Sequence, residues 1–149
     1  MLQGKESTIP PFRPDGYLPE GVYRASESDT SFRFGTSTQQ RRRLVLRVRH
    51  WIESARNIGA AGLLIDGSFV TAKGEPEDVD AVIFLPADFQ DQISRGSVSA
   101  LELEQMLLTR YPEEIFAAED EADWNAWIEF FSRTREQDGR RKGLVEIEL

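Results

Sequence analysis

The sequence predicts an α+β (mixed α/β) fold in which a small sheet is flanked by helices. Apolar residues between positions 44 and 58 recur at steps of three and four, which is typical of an amphipathic helix. Two short apolar runs, 63–65 and 79–85, indicate buried strands. The chain has 149 residues, 40% of them hydrophobic, so it can form a single domain with a real core.

Residues 1–35 are expected to form an irregular N-terminal arm packed on a domain that spans residues 36–149. Four of the seven prolines of the chain lie in this arm: Pro10, Pro11, Pro14 and Pro19. Because a proline removes a backbone donor and fixes φ, their spacing is incompatible with a long helix. Aromatic side chains in the arm favour packing over a free tail.

The domain itself begins with the clearest helix. Ser37 and Gln40 have the spacing of a capping box, and Gly59 predicts the end of the helix. The strand at 63–65 then leads into an Asp-Gly-Ser turn, and residues 71–77 are expected to be a loop. The second strand follows at 79–85 and ends at Pro86.

The second half of the chain predicts two more helices and a last strand. Residues 90–96 are expected to be a loop, and a helix follows from Ser99 to a point before Pro112. Another helix is predicted over 121–133, where Trp124, Trp127 and Phe131 form an apolar stripe for packing. The acidic residues before and around its start are expected to be a solvated loop: Glu113, Glu114, Glu119, Asp120, Glu121 and Asp123. Residues 144–149 alternate as a strand does.

Composition excludes several classes of function. The chain has no cysteine and one histidine, His50, which excludes zinc–thiolate sites, iron–sulfur clusters, thiol catalysis and multi-histidine metal sites within one chain. A formal net charge of −8 argues against tight, nonspecific wrapping of duplex nucleic acid, so no duplex DNA partner is expected, but it leaves binding through a local basic patch open. No apolar run reaches the ~18 residues of a membrane span, and no secretory signal is recognisable, so a cytoplasmic location without membrane contact is expected.

The chemistry is concentrated between Asp66 and Asp80. Residues two apart on a strand point the same way, so Asp78 and Asp80 are expected to share one face. Two such carboxylates repel each other unless a cation lies between them, and hard oxygen ligands suit Mg²⁺ or Mn²⁺. Gly67 and Ser68 follow a strand, where backbone N–H groups and a hydroxyl can hold a phosphate. Lys73, in the adjoining loop, is a further candidate for phosphate contact.

Gly67-Ser68, followed after nine residues by Asp78-Val79-Asp80, resembles the motif of the polymerase-beta-type nucleotidyltransferase superfamily. The wider chain resembles an uncharacterised bacterial family of minimal nucleotidyltransferase-like proteins, over residues 18–23, 33–35, 41–43, 65–71, 75–80, 130–131 and 142–145. The resemblance implies transfer of a nucleoside monophosphate from an NTP to a protein hydroxyl or an RNA end. It also implies a partner protein, in a bacterial toxin–antitoxin or defence pair.

The resemblance also implies roles for particular residues. Asp78 and Asp80 would hold the catalytic Mg²⁺ or Mn²⁺ ions, and the Gly67-Ser68 turn, with Lys73, would hold the triphosphate. A third carboxylate is expected from a later strand, and Glu146 and Glu148 share one face of the last strand. Glu148 is penultimate and subject to fraying, so Glu146 is the favoured catalytic residue, with Glu148 as a further metal ligand.

Two alternatives remain open. The motif normally has an apolar residue where this chain has Asp66, and this departure favours a catalytically impaired module that binds a nucleotide or a partner protein. The other alternative is an interaction protein whose motif match is coincidental. If neither Glu146 nor Glu148 lies beside Asp80, the hypothesis of an enzyme loses most of its support.

Overall fold

A computed structural model describes residues 9–109 and 114–149 and confirms the predicted α+β class. A single five-stranded mixed sheet has the strand order β1-β5-β2-β3-β4. The strands are β1 (Gly21–Ala25), β2 (Gly62–Asp66), β3 (Asp80–Phe84), β4 (Ile115–Ala118) and β5 (Gly143–Ile147). The helices are α1 (Glu27–Phe34), α2 (Gln39–Ile58), α3 (Phe89–Ser94), α4 (Val98–Thr109) and α5 (Glu121–Phe131). Within the described ranges, no helix has the length and apolar character needed to span a membrane.

The centre of the sheet is formed by β2, which pairs antiparallel with β3 on one side and with β5 on the other. All five residues of β2 are buried, as expected for a strand covered on both faces. The two outer pairings, β1 with β5 and β3 with β4, are parallel. The prediction of buried strands at 63–65 and 79–85 is therefore confirmed, with each boundary shifted by one residue.

One face of the sheet packs against α2 and forms the main core, with Trp51 of α2 and Leu103 of α4 fully buried there. The other face is covered by α5. Its predicted stripe packs as expected: Trp124, Trp127 and Phe131 lie against Leu64, Val82 and Ala118 of the sheet.

Helix α2 begins one residue later than predicted. Thr38 is the N-cap, and its side chain accepts a hydrogen bond from the Arg41 N–H at 3.1 Å, whereas the sequence pattern favoured Ser37. Gly59 ends the helix as predicted, with a φ of 72° that suits glycine. The two ends of α2 are thus set by local capping.

The prediction of an irregular arm over residues 1–35 is wrong for residues 21–34. Residues 21–25 form β1, which pairs in register with β5 from Gly21–Gly143 to Ala25–Ile147. Ser26 then caps α1 by accepting a hydrogen bond from Asp29 N–H at 3.0 Å. This strand depends on a partner more than a hundred residues away, so local proline content could not reveal it.

Two further predictions for the second half are also wrong. Residues 90–96 were expected to be a loop, but α3 spans Phe89–Ser94 and buries Phe89. The acidic stretch around Glu114 was expected to be a solvated loop, but Ile115–Ala118 forms β4 at the edge of the sheet. The end of α4 predicted before Pro112 lies outside the described residues, as does Glu113.

Candidate functional site

Ser68 and Asp78 close the loop between β2 and β3. Asp78 Oδ1 accepts hydrogen bonds from the Ser68 N–H at 3.0 Å and from the Ser68 hydroxyl at 2.5 Å. The Ser68 oxygen in turn accepts from the backbone N–H groups of Glu77, at 3.0 Å, and of Asp78, at 3.2 Å. The serine of the motif is therefore bonded directly to the first aspartate, and both are half-buried.

Gly67 lets the chain turn into this loop. Its φ of 91° and ψ of −178° lie in a region that is essentially restricted to glycine. A Cβ at this position would lie 2.9 Å from the Asp78 carbonyl oxygen and 3.0 Å from Val79 Cα. The close approach of the two backbone segments brings Asp78 to the end of β2.

Arg41 anchors the same loop from the first turn of α2. Its guanidinium donates to the carbonyl oxygens of Phe34 (3.1 Å), Phe69 (2.6 Å), Thr71 (2.7 Å) and Lys73 (2.5 Å). The residue is only 5% exposed, and its burial lowers the pKa of the guanidinium. Arg41 thus has a structural role in fixing the loop.

The carboxylates of the site follow the sheet register. Asp66, the last residue of β2, lies opposite Asp80, the first residue of β3. On the other side of β3, the parallel pairing with β4 begins at Ala81–Ile115, and Ala81 N–H donates to the Glu114 carbonyl oxygen at 2.9 Å. Glu114 therefore lies next to Asp80, close enough for a side-chain hydrogen bond between them to contribute to the raised pKa of Asp80.

Asp80 has the most strongly perturbed acidity of this group. Burial, the hydrogen bond with Glu114 and the charges of Asp78, Glu114 and Asp66 raise the pKa of Asp80 to about 8. Negative charge is therefore concentrated at the start of β3, where it favours the binding of a proton or a cation.

Asp66, the residue that departs from the motif, is neutralised within the protein. Its carboxylate forms a buried ion pair with Lys142, the residue before β5. Burial raises the pKa of Asp66 to about 6, although the charge of Lys142 and its hydrogen bond act in the opposite direction. The positive charge of Lys142 therefore compensates the additional carboxylate of Asp66.

The structure does not place Glu146 or Glu148 beside Asp80. Glu146 lies opposite Leu64 of β2 and Arg24 of β1, and strand β2 separates it from β3. Its carboxylate is 4.0 Å from the Arg24 guanidinium. Glu148 follows the end of β5 and is exposed. The choice of these residues as third carboxylates was wrong, because the last strand lies on the far side of β2.

Lys73 pairs with Glu77, the residue before Asp78. Its ammonium is 3.1 Å from Glu77 Oε1 in an exposed pair. Within residues 9–109 and 114–149, no group of three or more His, Cys, Asp or Glu side chains is arranged to hold a metal ion. In the described conformation, the Asp78 carboxylate accepts hydrogen bonds from Ser68. The Asp80 side chain interacts with Glu114.

Sequence reasoning therefore brought together Gly67, Ser68, Asp78 and Asp80 correctly, and missed Glu114 and Lys142. A signal for Glu114 was present, because it directly precedes the short apolar run Ile115–Ala118, as Asp80 precedes its own apolar run. No local signal pointed to Lys142, since its partner Asp66 is 76 residues away.

The comparisons with known proteins assign a family. Residues 10–148 match the model of a family of unknown function, DUF6932, and the chain belongs to that family. No curated protein and no solved structure matches the chain.

Proposed function

We propose that this protein is a metal-dependent nucleotidyltransferase that transfers a nucleoside monophosphate from an NTP to a hydroxyl of a protein or RNA acceptor, with release of pyrophosphate. The observation that carries the proposal is the position of Asp78, Asp80 and Glu114 beside the Gly67-Ser68 turn. Neither Glu146 nor Glu148 lies beside Asp80, so the support expected from the last strand is missing, and the proposal depends on Glu114 as the third carboxylate. The cytoplasmic location, and a place in a bacterial toxin–antitoxin or defence pair, rest on the sequence and its resemblance alone.

The residue types at the site suit a divalent cation such as Mg²⁺ or Mn²⁺, but in the described part of the chain their side chains are not yet arranged around a common point that would hold one. Carboxylate oxygens are the hard ligands that these ions prefer. Burial and, to a smaller extent, the neighbouring carboxylates raise the pKa of Asp80 to about 8, and a cation would offset the negative charge of those carboxylates. Asp78, Asp80 and Glu114 would hold the ion. When bound, it would offset charge on the triphosphate and on the attacking hydroxyl.

Ser68 and Asp78 would change partners when substrate binds. In the structure, the Ser68 N–H and hydroxyl both donate to Asp78 Oδ1. Transfer of these two donors to a phosphate oxygen would release the Asp78 carboxylate. Gly67 places the two partners together, because the absence of a side chain lets the backbone of Asp78 and Val79 approach the turn closely.

A second candidate function is a module that binds a nucleotide or a partner protein without catalysis. It is favoured by one observation: the described conformation satisfies Ser68 with Asp78 and Asp80 with Glu114, without a cation. A module of this kind would not need to exchange those contacts. The two candidates therefore differ in whether nucleotide binding depends on metal and on Glu114.

Calorimetric titration with each NTP, in the presence of Mg²⁺ or Mn²⁺ and in EDTA, tests the proposal. Metal-dependent binding should be lost in Asp80→Asn and Glu114→Gln but retained in Glu146→Gln, the matched control. Binding that persists in EDTA and in both site variants would favour the module. Loss of binding in Glu146→Gln but not in Glu114→Gln would overturn the assignment of Glu114. A labelled NTP would then identify the acceptor.

A further inference from the structure

Helix α2 presents a basic face in an acidic protein. The chain has a formal net charge of −8, yet the 20 residues of α2 include six arginines and one acidic residue, Glu53. Arg41 is buried and holds the loop after β2, so it does not belong to this face. The remaining five arginines form what we call the α2 basic face: Arg42, Arg43, Arg47, Arg49 and Arg56.

The arginines of this face are only weakly engaged within the protein. Arg49 and Arg56 share a single carboxylate, Glu27 of α1, and their side chains are 59% and 47% exposed. Ion pairs with that exposure contribute little to stability, so a stronger anion can replace them. Among the described residues, no hydrogen bond or ion pair to a carboxylate is found for Arg43 or Arg47.

The spacing of the face suits an extended polyanion. Arg42, Arg49 and Arg56 are seven residues apart, so they recur about every 10 Å along one side of the helix. Arg43 and Arg47, four residues apart, lie on the other side of the same exposed surface. The positive charge therefore extends along about 20 Å of helix axis instead of being concentrated at one point.

A protein partner fits this face less well than a nucleic acid does. The centre of a protein–protein interface is usually apolar and aromatic, and the arginines that are common there accompany such a centre. The only large hydrophobic residue of α2 that is well exposed is Leu46, at 62%. A surface of arginines without an apolar centre is instead typical of contacts with the phosphate backbone.

We infer that the α2 basic face binds the phosphodiester backbone of a nucleic acid. Arginine guanidiniums bind phosphate oxygens through paired N–H donors, and such contacts do not read sequence. The net charge of the whole chain opposes binding, so the affinity is that of a nonspecific complex, about 10⁻⁴ to 10⁻⁶ M, and falls with salt. The inference goes beyond the proposed function and does not depend on it.

Fluorescence anisotropy of labelled oligonucleotides, without NTP and in EDTA, tests the inference with the full chain. Each arm of the experiment uses one type of oligonucleotide: single-stranded RNA, single-stranded DNA, duplex RNA or duplex DNA. Each is measured at salt concentrations from about 50 to 200 mM. The test variant is Arg43→Gln/Arg47→Gln. The matched control is Arg133→Gln/Arg135→Gln, which removes two exposed arginines outside α2. Polyglutamate serves as a competitor that is polyanionic but lacks phosphate.

The expected result is saturable binding in at least one arm that weakens about tenfold in Arg43→Gln/Arg47→Gln and remains within about twofold in the control. Each phosphate contact with a single strand contributes about −0.7 to the slope of log K against log salt. Loss of two contacts should therefore make that slope less negative by about 1.4. Asp80→Asn should bind the oligonucleotide as the wild type does, even if it loses NTP binding, so the two proposals fail separately.

Three results would overturn the inference. The first is no binding in any arm at the lowest salt. The second is an equal loss in the test and control variants, which would indicate a general effect of net charge. The third is displacement of the oligonucleotide by polyglutamate at equal charge concentration, which would point to an acidic protein segment as the partner.

Discussion

Lys142 and Asp66 form a buried ion pair at the point where β5 begins and β2 ends. Their side chains are only 11% and 7% exposed. Asp66 also lies opposite Asp80 in the antiparallel pairing of β2 with β3. Asp66 is the position at which this chain departs from the motif that it resembles. Its carboxylate therefore lies beside the candidate site, paired with the positive charge of Lys142.

Removal of Lys142 alone should be costly. Lys142→Met leaves Asp66 buried without a partner, which typically lowers the free energy of unfolding by about 3–5 kcal/mol. Protonation of Asp66 would relieve part of that cost, because burial already raises its pKa to about 6. We therefore expect a loss of about 3 kcal/mol at neutral pH, measured by urea unfolding.

The double variant Lys142→Met/Asp66→Leu removes both charges and should recover most of the loss. Lys73→Met is the control, because its pair with Glu77 is exposed and should change stability by less than about 1 kcal/mol. Equal stability of Lys142→Met and Lys73→Met would contradict a stabilising role for the buried pair.

The acidity of Asp80 predicts how stability varies with pH in the absence of metal. Burial, the hydrogen bond with Glu114 and the nearby carboxylates raise the pKa of Asp80 from 3.8 to about 8. Between those pH values the native state binds a proton that the unfolded state has released. The free energy of unfolding should therefore fall as pH rises from about 4 to about 8. Asp66, raised to about 6, contributes a fall of the same sign over a narrower range.

Asp80→Asn should remove the larger part of this dependence. The variant keeps the shape of the side chain but has no charge to bury, so it should gain stability over the wild type as pH rises towards 8. Chemical unfolding in EDTA at several pH values measures the difference. A constant difference between the two proteins from pH 4 to 8 would show that Asp80 titrates normally.

The elements that were predicted correctly are those whose formation is determined by nearby residues in the sequence. Helix α2 carries its own apolar stripe and its own stop at Gly59, and β2 and β3 are continuous apolar runs. The turn from Gly67 to Asp78 was also recognisable, since its spacing is a short-range property. These segments contain the first two carboxylates of the site.

The elements that were missed depend on distant partners. Strand β1 exists because it pairs with β5, and β4 because it pairs with β3. The strand order then decides which carboxylate lies beside Asp80, and sequence alone did not provide that order. Glu146 matched the expectation of a carboxylate on a late strand, but β5 joins the sheet on the wrong side of β2.

Gly67 should not tolerate a side chain. Gly67→Ala places a Cβ 2.9 Å from the Asp78 carbonyl oxygen, at a backbone conformation that is essentially limited to glycine. We expect a loss of about 1–3 kcal/mol in the free energy of unfolding. The control is Gly74→Ala in the same loop, where a Cβ has no neighbour within 4 Å. That variant should be neutral or more stable by up to about 1 kcal/mol. Equal effects at the two positions would contradict the close backbone approach at Gly67.

Arg41 should matter far more than its neighbour Arg42. Arg41→Met removes the donors to four carbonyl oxygens, three of them in the loop that leads to Asp78. Each buried acceptor left without a partner costs about 1–3 kcal/mol, so the variant should lose about 4 kcal/mol of stability or more. Arg42 is exposed and donates one bond, to the Thr36 carbonyl oxygen, so Arg42→Met should lose less than about 1 kcal/mol.

Hydrogen exchange provides a readout that is specific to the loop. If Arg41 holds the segment after β2, amide protection in residues 69–73 should fall in Arg41→Met even under conditions where the rest of the chain remains protected. Protection of the sheet strands, measured in the same experiment, is the internal reference. A uniform loss across the sheet and the loop would indicate a general loss of stability and would contradict a specific role of Arg41 in holding the loop beside Asp78.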